Sequence, residues 1–542
     1  MAPETHEVTN QPPPLEGVSW FAGDAALREG LVREGAAWAE PRVARFGELL
    51  GRPEVLAWGR EANRHAPELR SHDRFGHRID EVAFHPAWHR MMALAMEHEV
   101  HNLPWRERRP GAQVARSALH SLLAQVEAGS CCPLTMTFAC LPALRHEPAV
   151  LADWEPLLLG TDYEPGLRPA REKRAVLVGM AMTEKQGGSD VRANTTRAEP
   201  AGADAFELTG HKWFCSAPMS DAFLTLAQTR RGLTCFLVPR FRPDGSRNPF
   251  RIQRLKDKLG NRSNASAEIE YDDTFAQRVG PEGRGVRTIL EMVHHTRLDC
   301  VSGSAGLMRQ ALTQALHHAR HRQVFGKRLW DQPLMRNVLA DLALESEAAT
   351  ALMLRLARAY DAAPEDPAEA AFARIATAVG KYWVCKRAPA MIYEAMECLG
   401  GNGYVEESGL PRLFREAPVN AIWEGSGNVI CLDVLRAMVR EPASLPALLA
   451  EIRLARGADR RLDAAADALE AALARPEDAE ARARSLVERM ALLLQASLLL
   501  RHAPGPVADA FCAGRLASDA GLAFGTLPAG LELEAILARA SV

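Results

Sequence analysis

The chain of 542 residues is longer than a single hydrophobic core usually supports, so we expect two to four domains. Its 65 basic and 68 acidic side chains leave a net charge of −3, so a nucleic-acid or membrane partner would need a local patch. The ten cysteines lack CxxC spacing, the N-terminus lacks a signal-peptide pattern, and no long uncharged apolar window occurs, which together predict a cytoplasmic protein with reduced thiols and no membrane span.

The predicted elements fall into blocks. After a Pro-rich arm, helices are predicted to residue 175, because apolar residues recur at three- and four-residue spacing. Short runs rich in Val, Leu, Phe and Thr predict an antiparallel β domain over 176–287. Amphipathic helices return over 288–440, and an Ala- and Leu-rich helical segment follows over 441–542. This order predicts an α+β fold and argues against a Rossmann sheet, in which strands and helices alternate.

Two motifs lie in the predicted β domain. The segment "MTEKQGGSDV", residues 182–191, follows a strand, and its hydroxyls and Gly-rich backbone suit a phosphate or a flavin edge, although a Gly-Gly turn is also a common loop. The segment "GHKWFCS", residues 210–216, is an aromatic strand end that by itself indicates packing.

Two more motifs lie among the C-terminal helices. The segment "HARHRQVFGK", residues 318–327, crowds cations at a helix end, which indicates either a solvated face or a phosphate clamp. In "ECLGGNGYVEE", residues 397–407, three glycines allow another molecule close to the backbone. The pairs His85/His89 and His317/His321 have metal-ligand spacing without a third local ligand, so we predict no metal site.

A lone carboxylate, Glu424, lies in the segment "NAIWEGSGNVI", residues 420–430, between a tryptophan and small residues. Taken alone, such a glutamate is more often a helix cap or the ion-pair partner of an arginine. The order of the motifs, however, resembles the acyl-CoA dehydrogenase superfamily from about residue 80 to 440. "KDKLGNRSNASAEIEYDD", residues 256–273, followed by "VGPEGRG", supports the resemblance.

Within that superfamily, four features resemble the flavoproteins of the adaptive response to DNA alkylation. They are the arm "THEVTNQPPPL", the "MTEKQGGSDV" variant, Trp before the glutamate and the tail of about a hundred residues. The resemblance implies an N-terminal helical domain, a central β domain, a C-terminal four-helix bundle and an extra C-terminal helical domain. Their expected ranges are 1–175, 176–287, 288–440 and 441–542.

The resemblance also implies that FAD is the cofactor and that a neighbouring subunit helps to bind it. The family therefore implies an obligate dimer, usually doubled to a tetramer that is a dimer of dimers. The residues carried over as cofactor-binding are Met182, Thr183, Gly188, Ser189, Phe214, Ser216, Arg322, Phe325, Gly400, Gly401, Trp423, Gly425, Ser426 and Asn428. Of these, Arg322, Phe325 and the turn at 400–403 would reach the FAD of the neighbour.

Glu424 matches the family's catalytic base, which removes the α-proton of an acyl-CoA thioester while the β-hydride moves to flavin N5. A dry site would raise the pKa of such a base towards the working pH. Some relatives place the base on another helix, directly before an arginine. That position is Thr296 here, before Arg297, so no carboxylate competes with Glu424.

The resemblance also implies that the C-terminal helical domain associates with double-stranded DNA. Residues 441–542 hold 11 Arg, no Lys and 14 acids, so the net charge of the tail does not favour DNA. In "RLARGADRR", Arg453, Arg456 and Arg460 are predicted to share one helical face, which is either a solvated face or, with Arg436 and Arg440, a track for DNA phosphates.

The resemblance therefore implies a flavoprotein that binds DNA, protects it from alkylating agents or destroys them, and has weak dehydrogenase activity on isovaleryl-type acyl-CoA. One alternative is a metabolic dehydrogenase of short branched acyl-CoA with an inert tail. A second is a non-catalytic DNA-shielding flavoprotein.

Overall fold

A computed structural model describes residues 5–202, 204–475, 477–517 and 521–541. The α-helices are α1 (Ala25–Leu31), α2 (Glu40–Leu50), α3 (Pro53–Arg64), α4 (Pro86–Glu97), α5 (Leu103–Arg106), α6 (Ala112–Val126), α7 (Cys131–Leu144), α8 (Pro148–Leu158), α9 (Gly285–His321), α10 (Pro333–Ala362), α11 (Pro367–Cys398), α12 (Leu410–Asn420), α13 (Gly427–Arg440), α14 (Ser444–Arg453), α15 (Arg460–Leu473), α16 (Ala479–His502), α17 (Gly505–Arg515) and α18 (Leu533–Ala540). The β-strands are β1 (Glu68–His72), β2 (Arg78–Ala83), β3 (Val178–Ala181), β4 (Arg197–Pro200), β5 (Ala205–Ser216), β6 (Ala222–Thr229), β7 (Gly232–Pro239), β8 (Phe250–Leu255), β9 (Ser266–Val279), β10 (Gln323–Val324) and β11 (Lys327–Arg328).

The chain divides into two compact units, which we call the helical unit and the mixed unit. The helical unit consists of Met1–Pro53, Pro110–Gln125 and Cys300–Val542. The mixed unit consists of Glu54–Arg109 and Val126–Asp299. The boundaries predicted at 175, 287 and 440 lie near the start of β3, the start of α9 and the end of α13. The four-domain division itself stays a prediction.

The sheet of the mixed unit closes on itself. Neighbouring strands follow the order β4, β5, β9, β7, β6 and back to β4, with β3 beside β6 and β8 beside β9. Strands β6 and β7 are almost wholly buried, because both carry continuous apolar runs instead of alternating polar residues. Stacked rings of Phe223 and Phe250, with centroids 4.8 Å apart, belong to the core of this sheet.

Two details of the mixed unit differ from the expectation from sequence. The β domain is not wholly antiparallel, because β3 and β4 each pair with β6 in parallel. The alternation of apolar residues shows which side chains face a core, but it does not fix the direction of a neighbouring strand. In addition, the region expected to be all helical contains the antiparallel hairpin β1–β2, whose turn forms because Asp73 accepts hydrogen bonds from the N–H groups of Phe75 and His77.

Long helices dominate the helical unit. Helix α11 begins where Asp366 accepts hydrogen bonds from the N–H groups of Ala368 and Glu369, and Pro367 occupies the first helical position. Helix α10 packs along α11, and α12, α13, α14 and α16 also contact α11. None of the described helices combines the length and the apolar composition needed to cross a bilayer.

The tail is held against α10 by buried ion pairs within the helical unit. Glu451 on α14 accepts from Arg355 on α10 at 2.8 Å and from Arg501 on α16 at 2.6 Å. Arg515 on α17 contacts Glu345 on α10 at 3.0 Å. These carboxylates and Arg355 are almost fully buried, so two clusters of buried ion pairs join the tail to α10.

Candidate active site

Glu424 lies in a tight turn between α12 and α13. Residues 421–426 connect the two helices, and within them Gly425 has a φ of 108°, which favours glycine. Glu424 itself has a φ of 57°, a left-handed conformation that is disfavoured for residues with a side chain. Glu424 and Trp423 are half-buried. The turn therefore fixes Glu424 in an unusual backbone conformation.

A buried lysine that sequence reasoning missed holds this turn. Lys381 on α11 is 1% exposed, and its Nζ donates to the carbonyl oxygen of Trp423 at 2.8 Å and to that of Gly425. These carbonyl groups flank Glu424 on either side. The available signal was a lone lysine within the apolar run "GKYWVC" of α11, because lysine is almost never fully buried unless its charge has partners.

Both ends of the turn are also tied to other helices of the helical unit. At the end of α12, Asn420 Nδ2 donates to Ser304 Oγ on α9 at 3.1 Å. At the start of α13, Asn428 Oδ1 accepts from Arg484 Nε on α16 at 2.8 Å. Arg484 belongs to the tail, so the tail contacts a residue predicted to bind the cofactor.

The "MTEKQGGSDV" loop of the mixed unit follows β3, as predicted. A side chain at Gly188 would come within 2.3 Å of Thr183 Oγ1, so only glycine fits there. The side-chain hydroxyls of Thr183 and Ser189 make no hydrogen bond with a residue that the structure describes, and Ser189 is exposed. These hydroxyls are thus available to a ligand. The roles of Met182, Thr183, Gly188 and Ser189 stay predictions.

A second missed pair, Glu184 and Lys212, anchors that loop. Both side chains are fully buried, with 2.8 Å between Lys212 Nζ and Glu184 Oε1, and Glu184 also accepts from Thr195 and Thr196. Burial opposes ionisation, yet Lys212 and the hydrogen bonds lower the pKa of Glu184 to about 2. Burial lowers the pKa of Lys212 to about 8. Glu184 is therefore a structural anchor within a motif predicted to bind cofactor.

The aromatic strand end lies on β5, and a lysine from another part of the mixed unit packs against its rings. Lys256 Nζ lies 3.3 Å from the ring centroid of Trp213 and 4.7 Å from that of Phe214. Phe214 is 51% exposed, and Ser216 Oγ lies 3.5 Å from Ser266 Oγ. An exposed aromatic ring beside a cation could contact a ligand, so Phe214 and Ser216 stay predicted cofactor residues.

The Arg-Phe-Gly turn lies between β10 and β11, just after α9 ends. Phe325 is 98% exposed and has a φ of 52°. The N-terminal arm contacts this turn, because Asn10 pairs with both the N–H and the carbonyl of Gln323, and the Asn10 carbonyl accepts from Arg322 Nη1 at 2.7 Å. The arm thus fixes a turn whose Arg322 and Phe325 are predicted to reach a neighbour's FAD.

The glycine-rich turn forms a 3₁₀ turn over Gly400–Tyr404 that packs against α11 and α12. Gly400 has a φ of 59°, and a side chain added at Gly400 or Gly401 would meet nothing within 4 Å. The backbone of this turn is therefore open to another molecule.

Several polar groups suit a flavin nucleotide. The Ser426 hydroxyl makes no hydrogen bond to cap α13, and the buried Nε1 of Trp423 has no acceptor among the residues that the structure describes. In the helical unit, these two groups and the open turn at Gly400 offer hydrogen-bond donors and close backbone approach. In the mixed unit, the hydroxyls of Thr183 and Ser189 are further donors. The residues of each unit, taken separately, thus have donor chemistry that fits FAD.

The tail arginines differ from the prediction. Helix α14 ends at Arg453 and α15 begins at Arg460, so the prediction of one helical face is wrong. The chain breaks at Gly457, whose φ of 85° favours glycine, and the Asp459 side chain then starts α15 by accepting from the Arg461 N–H.

Intramolecular carboxylates already occupy part of the predicted track. Arg453 pairs with Glu470 at 2.8 Å, Arg456 pairs with Asp467 at 2.9 Å, and Arg436 lies 3.6 Å from Asp433. Arg440 and Arg460 are exposed and form no ion pair with a described residue.

The histidine pairs do not form metal sites with each other. His85 Nδ1 accepts from the Ala87 N–H and His89 Nδ1 contacts the Tyr163 hydroxyl, so each ring has a structural role. Glu61, His65 and His85 do place ligand-type atoms within 4.8 Å of one another. However, a neutral His85 whose Nδ1 accepts a hydrogen bond carries its proton on Nε2, which leaves no free lone pair for a metal.

Comparison with known proteins gives matches along most of the chain. Residues 10–165 match the family described as the adaptive response protein AidB N-terminal domain. Residues 179–274 match the acyl-CoA dehydrogenase middle domain, and residues 283–439 match the acyl-CoA dehydrogenase C-terminal domain. The three matches follow in the order that the motifs predicted.

Individual relatives agree with the family matches. The chain is 50% identical to the putative acyl-CoA dehydrogenase AidB of Escherichia coli K12 over 94% of both chains. It is 33% identical to acyl-CoA dehydrogenase family member 11 of Caenorhabditis elegans, covering 76% of this chain and 69% of the relative. The crystal structure of Caenorhabditis elegans ACDH-11 in complex with C11-CoA superposes with a TM-score of 0.87 at 28% identity, covering 95% of this chain and 94% of that chain.

Proposed function

Since the chain belongs to the acyl-CoA dehydrogenase family, we propose that it is a flavoprotein of the DNA-alkylation response that oxidises acyl-CoA with Glu424 as the base. The family makes it an FAD-dependent oxidoreductase that acts on CH–CH bonds. The catalytic part of this proposal rests on the turn of Glu424. In that turn, Lys381 binds the carbonyl groups of Trp423 and Gly425, on either side of Glu424. Short branched acyl-CoA is the proposed substrate class.

In this mechanism the Glu424 carboxylate takes the α-proton of the thioester and becomes a carboxylic acid. The Cα–H electron pair becomes the second bond of the new Cα–Cβ double bond, and the β-carbon loses a hydride. FAD, when bound, supplies the two-electron acceptor for that hydride. Glu424 and its chain neighbour Trp423 are both half-buried, so the carboxylate is only partly open to water.

Anaerobic mixing with a panel of straight and branched acyl-CoAs tests the catalytic half by flavin absorbance. Glu424→Gln keeps the shape but cannot take a proton, so flavin reduction should slow by at least about 10²-fold. Glu407→Gln, in the exposed turn before α12, is the matched control and should react as the wild type does. Equal rates for all three proteins would place the base elsewhere.

We assign the DNA half of the proposal to the exposed arginines that have no intramolecular carboxylate. The similarity to AidB along 94% of the chain supports DNA binding. The net negative charge of the tail opposes it. Arg440 and Arg460 are available to phosphates, whereas Arg453 and Arg456 would first have to leave Glu470 and Asp467. A homotetramer, which we propose for the assembly, would multiply weak contacts to one duplex.

Salt dependence tests DNA binding. Each phosphate contact contributes a log–log slope of about −0.9, so replacing Arg440 and Arg460 by Ala should flatten the slope by up to about 2. The control replaces Arg453 and Arg456, which are already paired, and should change the slope less. If wild-type protein fails to shift duplex DNA at about 50 mM salt, where such contacts are strong, the DNA half fails.

Two alternatives remain separable by the same assays. A metabolic dehydrogenase of short branched acyl-CoA would reduce its flavin rapidly and ignore DNA. A DNA-shielding flavoprotein would bind DNA and show no reduction by any acyl-CoA. The contact of Arg484 with Asn428 argues against a wholly inert tail, since it joins the tail to the predicted cofactor site. We propose cytoplasmic action on chromosomal DNA.

A further inference from the structure

Lys381 is a buried cation whose position is explained by the turn it binds. Its side chain is 1% exposed, and none of the ion pairs among the described residues includes Lys381. A buried ammonium without a carboxylate needs other oxygen partners, and here it has the carbonyl oxygens of Trp423 and Gly425. These two carbonyls belong to the residues immediately before and after Glu424.

The geometry of the turn explains why both carbonyls face the same ammonium. Glu424 has a φ of 57° and Gly425 a φ of 108°, so the chain reverses its handedness at the glutamate. In this conformation both carbonyls accept from one donor, and the conformation is disfavoured for a residue with a side chain unless the surroundings stabilise it. Hydrogen bonds from a charged donor are roughly twice as strong as neutral ones.

We propose that Lys381 is a positioning residue for Glu424: by bridging the two flanking carbonyls it holds the carboxylate in the left-handed conformation from which it takes the substrate proton. This inference rests on the proposed role of Glu424 as the base. Lys381 acts through the backbone and touches neither the substrate nor the flavin.

The other two tethers leave this task to Lys381. Asn420 binds Ser304 at the end of α12, and Asn428 binds Arg484 at the start of α13. Both lie four residues from Glu424 and fix the helices, not the peptide groups beside the glutamate. Without Lys381, the two carbonyls would lose their common donor, and Glu424 could return to an ordinary conformation.

Lys381→Met tests this role, since methionine fills the buried space without an ammonium group. Thr377→Val is the matched control: Thr377 lies one turn earlier on α11, is 1% exposed and contacts the Tyr360 hydroxyl at 3.3 Å, away from the turn. We expect Lys381→Met to lower the rate of flavin reduction by about 10²-fold, the cost typical of a small misplacement of a reacting group, with KM nearly unchanged. Lys381→Arg, which keeps a cationic donor, should recover part of the rate.

A double-mutant experiment distinguishes the positioning of Glu424 from general damage to the fold. In a Glu424→Gln background, Lys381→Met should cause no further loss of rate, because the group it positions is already absent. A further loss of about 10²-fold in that background would overturn the proposal. The melting temperature of Lys381→Met should match that of Thr377→Val.

Hydrogen exchange tests whether Lys381 holds the turn of Glu424, and it does not depend on catalytic activity. Peptides that cover residues 419–428 should exchange about tenfold faster in Lys381→Met than in wild type or Thr377→Val, because local opening is easier. Unchanged exchange would overturn the role of Lys381 in the turn. If exchange rises but wild-type flavin is not reduced by any acyl-CoA, the catalytic half of the proposed function fails, and the role of Lys381 in catalysis fails with it.

Discussion

Loss of the Glu451 carboxylate should loosen the tail from α10. The side chain of Glu451 is 7% exposed and lies between Arg355 and Arg501. Burial opposes its ionisation, but the two guanidinium groups lower the pKa of Glu451 from 4.5 to about 2. A shift of that size corresponds to about 3 kcal/mol of stability at neutral pH. Removing one partner of a buried ion pair typically costs about 3–5 kcal/mol, which agrees.

Glu451→Gln keeps the size of the side chain and removes its charge. Hydrogen exchange of the amides of α14, Ser444–Arg453, reports the local opening that this pair opposes. We expect these amides to lose about 10²-fold of their protection at pH 7, the equivalent of about 3 kcal/mol. The matched control is Glu470→Gln, whose pair with Arg453 is exposed and should contribute about 0–1 kcal/mol.

The pH dependence has a defined sign. Because the folded-state pKa of Glu451 is depressed, its contribution is fully present above pH 4.5 and is lost as the pH falls towards 2. In wild type, the opening free energy of α14 should therefore decrease over that window, and Glu451→Gln should remove this part of the decrease. If the amides of α14 are equally protected from exchange in Glu451→Gln and Glu470→Gln at pH 7, the buried pair does not hold α14.

Three other predictions concern the cofactor residues. Arg322→Ala should release FAD more readily during gel filtration, because a charge-assisted contact to pyrophosphate is lost; unchanged FAD content would remove the proposed clamp. Asn10→Ala should weaken FAD retention in the same direction but less, since it removes the side-chain bonds to Gln323 and keeps the Arg322 guanidinium. Full retention would show that the Asn10 side chain has no part in binding. Arg484→Ala should also weaken FAD retention through Asn428, measured by FAD titration against Arg489→Ala, an exposed arginine on the same helix. Equal FAD affinities for Arg484→Ala and Arg489→Ala would mean that the tail has no role in the cofactor site.

Local sequence determined the block order of helices and strands and the positions of the main motifs. Amphipathic spacing identified the long helices, and Val-, Leu- and Phe-rich runs identified the strands of the mixed unit, since both signals depend on neighbouring residues. The sequence singled out Glu424 between a tryptophan and small residues, and the structure places it in the turn between α12 and α13. The family matches confirm the predicted superfamily, while the roles of individual site residues stay predictions.

Tertiary structure alone decided which distant charges meet. The bond between Lys381 and the turn of Glu424 joins residues 42 and 44 positions apart, and Arg355 meets Glu451 across 96 positions. Arg453 and Arg456 found carboxylates on α15 instead of forming one basic face. The parallel partner of β3 was equally invisible in sequence. Periodicity specifies which face of an element is buried, but the partner on that face depends on how the chain packs, and a buried charge is stable only where that packing supplies its counterpart.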